Sequence, residues 1–214
     1  MEKKRFHGFW LVLAKITGLL PAWLFFTPKV YYTEGAPRAT KLPRPCILMS
    51  NHTSLLDFPL YLVVFWRYNV RYLMAEVLYR TKLLATLLKG LGGIRVEREA
   101  FDLGFVSESL STLDRGGVIG VFPQGRLPVK GQKWPYKPGI VWIAMHTDAP
   151  ILPVYTDGRY GLFKRARVVI GAPFTLPGQG SGRTPDAEET AALCALLEEK
   201  EEALQAELER RVAR

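Results

Sequence analysis

The chain has 214 residues, 48% of them hydrophobic, with 29 bases, 20 acids and a net charge of +9. That size fits one domain with a substantial core plus an appendage. Two cysteines and three scattered histidines offer neither a disulfide framework nor metal-ligand spacing, so no metal is expected and Cys46 and Cys194 read as buried free thiols.

The charge is uneven. Residues 186–214 hold nine acids and four bases, which leaves 25 bases and 11 acids for residues 1–185. A body this basic expects anionic partners: phosphates, anionic headgroups or nucleic acid. No aromatic-basic platform or nucleic-acid motif is present, so nucleic acid is the weakest of the three.

Along the chain, a basic start at Lys3, Lys4 and Arg5 precedes an apolar run from Phe9 to Phe26, interrupted by Lys15, Gly18 and Pro21. A cleaved signal peptide would want a small-residue cleavage site, which Trp23-Leu24-Phe25-Phe26 does not offer. A spanning helix needs about 20 apolar residues, and this run barely qualifies. The preferred reading is two short helices dipping into one leaflet. Trp10, Trp23, Tyr31 and Tyr32 suit the interface, and Lys29 suits anionic headgroups. A helical hairpin packed on the domain itself is the alternative. Residues 1–34 are therefore expected to be a membrane-associating motif and 35–214 the main domain, on the cytoplasmic face and not multi-spanning.

Cys46-Ile47-Leu48-Met49 predicts a buried strand, and Phe58 to Trp66 a helix. Between them lies Ser50-Asn51-His52-Thr53-Ser54-Leu55-Leu56-Asp57. His52 has the side chain suited to taking a proton near neutrality, and a carboxylate orients an imidazole. Five residues on an ideal helix is about 140° of rotation, so His52 and Asp57 meet only if His52 precedes the helix and Asp57 lies in its first turn. Thr53 and Ser54 are expected to cap that helix. The alternative is a core histidine beside an aspartate that serves the helix dipole. Asn51-His52-Thr53 also fits a glycosylation acceptor, which matters only in a secreted chain.

Arg71 to Ala75 predicts a second strand, and Leu78 to Leu91 one helix stopped by Gly92-Gly93. Ile94 to Glu97 is strand-like and ends at Arg98. Leu103, Val106, Leu110 and Leu113 mark an amphipathic helix. Val118 to Phe122 is a buried strand. After it, Phe122-Pro123-Gln124-Gly125-Arg126 forms a turn whose Gly125 leaves N–H groups for an anion, with Arg126 adding charge. Ile140 to His146 predicts a short helix after Lys137-Pro138-Gly139. Ile151 to Tyr155 and Arg167 to Ile170 predict two more strands, 174–185 a loop, and Asp186 to Arg211 a long helix with a stripe at Leu193, Leu197, Leu204 and Leu208. This alternation argues an α/β fold: a mostly parallel central sheet with helices on both faces. Strand ends then bring His52, Arg98 and Arg126 to one edge.

Four stretches in order carry a resemblance. They are Asn51-His52 with Asp57, Gly92-Gly93-Ile94-Arg95-Val96-Glu97-Arg98, Phe122-Pro123-Gln124-Gly125, and Ala149-Pro150-Ile151-Leu152-Pro153-Val154. They resemble the blocks of the glycerolipid acyltransferases, the superfamily that contains 1-acyl-glycerol-3-phosphate acyltransferases. The resemblance implies His52 as general base with Asp57 as its partner. It implies Arg98 and the Gln124-Gly125 turn as contacts to an acceptor phosphate. Arg126 and Lys137, which flank these blocks, complete the candidate substrate-binding set. The third block departs from the usual Phe-Pro-Glu-Gly-Thr-Arg, with Gln124, Arg126 and Leu127 in place of the acid, the threonine and the arginine.

The implied activity moves a fatty acyl group from an acyl thioester to the hydroxyl of lysophosphatidic acid or a related lysophospholipid. The donor would be acyl-CoA or an acyl carrier protein, with no cofactor. Such chemistry needs a base, oxyanion donors and a hold on the substrate charge, and no Gly-x-Ser-x-Gly elbow for a covalent step is present. Two other readings remain: an acyltransferase for a lysoglycolipid or amino-lipid, and a non-catalytic peripheral membrane module.

Overall fold

The structure is a computed structural model that describes residues 25–97, 104–129, 134–161 and 164–213. Arg98 and most of the expected N-terminal motif lie outside those residues. Among the described residues no helix is long and apolar enough to cross a membrane.

Among the described residues seven strands form one sheet: β1 Lys29–Tyr32, β2 Cys46–Ser50, β3 Val70–Ala75, β4 Ile94–Val96, β5 Val118–Val121, β6 Ile151–Thr156 and β7 Arg167–Ile170. Their order is β1-β7-β6-β2-β5-β3-β4, and the β6–β7 pair alone is antiparallel among them. The α-helices that accompany them among the described residues are α1 Asp57–Val64, α2 Lys82–Gly90, α3 Gly104–Asp114, α4 Gly139–Met145 and α5 Ala187–Ala213.

β2 is the centre because every one of its residues is apolar or small, as a strand covered on both faces requires. Its alternation divides the core. Cys46 and Leu48 join Leu60, Tyr61 and Phe65 of the α1 side, whereas Ile47 and Met49 join Ile140, Ile143 and Leu197 of the α4 and α5 side. β2 is flanked by β5 and β6, both parallel to it, so the segments that leave these three strands emerge at one edge of the sheet.

Three local features differ from the sequence reading. Lys29–Tyr32, placed there in the N-terminal apolar motif, forms edge strand β1 against β7. Lys29 Nζ sits 5.0 Å from the Tyr31 ring centroid, and the Tyr32 hydroxyl accepts from Ala39 N. The single helix expected over 78–91 is instead a 3-10 turn, Glu76–Tyr79, followed by α2, because Thr81 takes an extended backbone (φ −89, ψ 122). Thr53 and Ser54 do not cap α1 with their side chains; their own N–H groups donate to Asp57. The long C-terminal helix follows its pattern, burying Leu193, Leu197, Leu204 and Leu208.

Both thiols are buried. Burial pushes the Cys46 thiol up to about 12 against the opposing charge of Arg44, so it is a packing group and not a nucleophile.

Candidate active site

The segment that leaves β2 turns sharply into α1. Asn51 fixes its start: its side-chain amide donates to Thr156 O (2.9 Å) while its carbonyl oxygen accepts from Thr156 N (2.9 Å). One amide thus extends the β2–β6 pairing by a rung and aims the next residue, His52, outward at the sheet edge.

His52 Nδ1 lies 2.7 Å from Asp57 Oδ2. The Asp57 side chain is fully buried, that of His52 16% exposed. Oδ2 also accepts from Thr53 N (2.6 Å) and Ser54 N (3.0 Å). Oδ1 accepts from Thr53 Oγ1 (2.7 Å) and from the Tyr160 hydroxyl. Burial pushes the Asp57 carboxyl up, but the hydrogen bonds from His52, Ser54, Tyr160 and Thr53 together outweigh it and hold the group below its usual value of 3.8. A carboxylate that accepts on both oxygens requires the proton on His52 Nδ1. That leaves Nε2 as the ring nitrogen for a substrate.

Tyr160 had no signal in the sequence. It sits 103 residues from Asp57 and arrives by the loop after β6. Gly158 makes that approach possible: its φ is +65°, and a Cβ there would lie 2.7 Å from Thr53 Oγ1. Burial and the Asp57 charge push the Tyr160 hydroxyl up, which keeps it a donor.

The imidazole plane is set by stacking. His52 lies on Phe122 at 4.3 Å and 18°, and Tyr72 lies 5.5 Å from Phe122 at 19°. Phe122 opens the turn after β5. That turn closes with Gly125 N donating to Phe122 O (2.9 Å), and Gly125 has φ +64°, as a tight turn there demands. Lys137 N donates to Pro123 O (2.9 Å), which brings the lysine to the same turn.

His52, Gly125 and Lys137 line one cavity of about 710 Å³. Its walls are mainly apolar, among them Phe58, Met74, Leu84, Leu88, Phe105 and Ile140. Gln124 and Arg126 take no part in that lining. Gln124 Nε2 donates to Glu201 of α5 at 3.3 and 3.2 Å. The Arg126 guanidinium lies 4.4 Å from the Trp134 ring centroid. Of the candidate substrate contacts, Gly125 and Lys137 therefore reach the cavity.

Two expectations follow. Gln124→Glu sets a second carboxylate against Glu201, so folding stability should fall by about 1–2 kcal/mol, and Gln124→Glu/Glu201→Gln should recover it. Urea unfolding of the two variants checks this. The Asp57 carboxyl also carries a sign for pH. Its folded value is depressed, so its stabilisation is complete above the unfolded value of 3.8 and is lost as pH falls from there through the folded value. Urea midpoints below pH 4 should drop in the parent chain, with a shallower drop in Asp57→Asn.

The Acyltransferase family model matches residues 29–157. A chloroplastic 1-acyl-sn-glycerol-3-phosphate acyltransferase of Brassica napus is 21% identical over 158 residues, 73% of this chain and 44% of that protein. The human 1-acyl-sn-glycerol-3-phosphate acyltransferase beta is 27% identical over 120 residues, 55% of this chain and 43% of that one. The matched stretches thus span less than half the length of these curated relatives. The crystal structure of the 1-acyl-sn-glycerophosphate acyltransferase of Thermotoga maritima superposes with a TM-score of 0.62 over 92% of this chain and 80% of that chain, at 22% identity, and shares its fold.

Proposed function

The chain belongs to the acyltransferase family, and from that premise we propose that it transfers a fatty acyl group from an acyl thioester to the free hydroxyl of lysophosphatidic acid or a closely related lysophospholipid. The observation that carries this reading is the His52–Asp57 contact of 2.7 Å in the wall of a largely apolar cavity. The names of the curated relatives supply the acceptor class.

The proton passes through His52. Its Nε2 takes the proton of the acceptor hydroxyl as that oxygen attacks the thioester carbonyl carbon. Asp57 stabilises the imidazolium that forms. The tetrahedral intermediate collapses, the carbon–sulfur bond breaks, and the thiolate leaves with the proton from His52. The ester product and a free thiol result, with no acyl-enzyme step. The apolar walls suit a fatty chain. Lys137 at the Gly125 turn offers positive charge to the acceptor phosphate, and Arg98 stands in the same role by the family resemblance. Neither acyl-CoA nor an acyl carrier protein is favoured as donor by any residue described. Membrane association on one face, without spanning, fits the apolar acceptor and the basic body.

The test is a panel of lysolipids offered to the purified full chain with each donor type. Ester formation on lysophosphatidic acid supports the proposal. Transfer only to a lysoglycolipid or amino-lipid would replace the acceptor. Vesicle binding with no transfer from any thioester would leave a membrane-binding module.

A further inference from the structure

A helix that faces water keeps its apolar side chains on the inner face; α2 carries leucines on both faces. Leu84 and Leu88 line the cavity from within. On the outside of the same helix, Leu83 is 82% exposed and Leu87 41%. The elements beside it continue the pattern. Leu55, three residues after His52, is 62% exposed, and Val77 of the preceding 3-10 turn is 52% exposed; both also line the cavity. Exposed apolar side chains grouped at a cavity mouth mark an interaction surface. Its charge points to one partner. Residues 76–92 contain Arg80, Lys82 and Lys89 against one acid, Glu76, whose carboxylate is paired with Arg95, and all three bases are exposed.

We infer that α2 and the 3-10 turn before it form a membrane-docking face, which lays the cavity mouth on an anionic bilayer so that a lipid acceptor enters from the leaflet without crossing water. Apolar side chains flanked by bases, on a helix too short to span, is the composition of an interfacial segment. The inference rests on the lipid-acceptor reading above, and its test is independent of turnover. A second copy of the chain is the other occupant such a face could take. It would leave the bases of α2 facing the same bases of the partner across a two-fold contact.

A nitroxide at Leu83→Cys, on a surface position, is read in the full chain on vesicles of phosphatidylcholine and phosphatidylglycerol. Labelling of the parent chain checks that buried Cys46 and Cys194 stay shielded. A label at Ala191→Cys on α5 serves as the aqueous control. The expected result is that the label at 83 collides more with oxygen than with a water-soluble nickel chelate, while the label at 191 does the reverse. Lys82→Gln and Lys89→Gln should each weaken binding to these vesicles by roughly five-fold. Four results would overturn the inference: a chain that does not bind vesicles, a bound chain whose label at 83 is aqueous, vesicle affinity indifferent to both lysines, or a label shielded from both reagents in a chain of doubled mass. In the first three cases a chain that still esterifies a soluble short-chain lysophospholipid keeps its acyltransferase reading and loses only this face.

Discussion

Replacing His52 by alanine should lower kcat by about 10²–10⁴-fold, the contribution of a positioned general base, with a smaller change in KM. The argument is geometric. The ring is fixed by stacking on Phe122 and by Asp57, so Nε2 is presented to the cavity without further ordering. Alanine removes the base and leaves the cavity walls. His52 is only partly buried and Asp57 keeps its other donors, so the fold should survive. Steady-state kinetics in detergent micelles, with circular dichroism as the control for folding, measure both.

Asp57→Asn should be the more damaging change overall. The carboxylate accepts from Thr53 N, Thr53 Oγ1, Ser54 N, Tyr160 and His52. An amide brings two N–H donors into a nest of donors, so either the Thr53 and Tyr160 hydroxyls turn to accept or a buried polar pair breaks. Losing hydrogen bonds to a buried carboxylate costs about 1.5–3 kcal/mol. The proton on His52 would also redistribute. An amide whose Oδ1 faces Nδ1 keeps the proton there, whereas one turned to set Nδ2–H against Nδ1 favours the tautomer with the proton on Nε2, which removes the base. A kcat loss close to that of His52→Ala, together with a lower urea midpoint, is expected. Asp57→Asn that matched the parent in both respects would remove the dyad as the functional unit.

Much of this architecture is legible in the amino-acid sequence. Buried strands announce themselves by composition: Cys46 to Met49 and Val118 to Val121 are apolar on both faces, which implies a sheet covered by helices on both sides, whereas the strand order is not written in any local pattern. The His52–Asp57 pair was visible as a spacing that works only across a turn, and the turn is there. Edge strand β1 was not legible. Lys29-Val30-Tyr31-Tyr32 pairs only with β7, more than 130 residues on, and beside an apolar run its own composition suits an interface equally well. The break at Thr81 was hidden because leucine periodicity on its C-terminal side continues in phase. Tyr160 and Glu201 were out of reach for the same reason. A residue that donates or accepts across 103 or 77 positions leaves no local pattern. Gln124 shows the limit from the other side. Its place in a motif suggested a substrate contact, but a motif does not say which way an amide turns, and here it turns to α5.

Release of free thiol from an acyl thioester, followed with and without lysophosphatidic acid for the purified chain, tests the central claim most directly. Direct transfer predicts thiol release that requires the acceptor, equals the ester formed, and disappears in His52→Gln. Release that continues without acceptor, or that survives the loss of the imidazole, would contradict it.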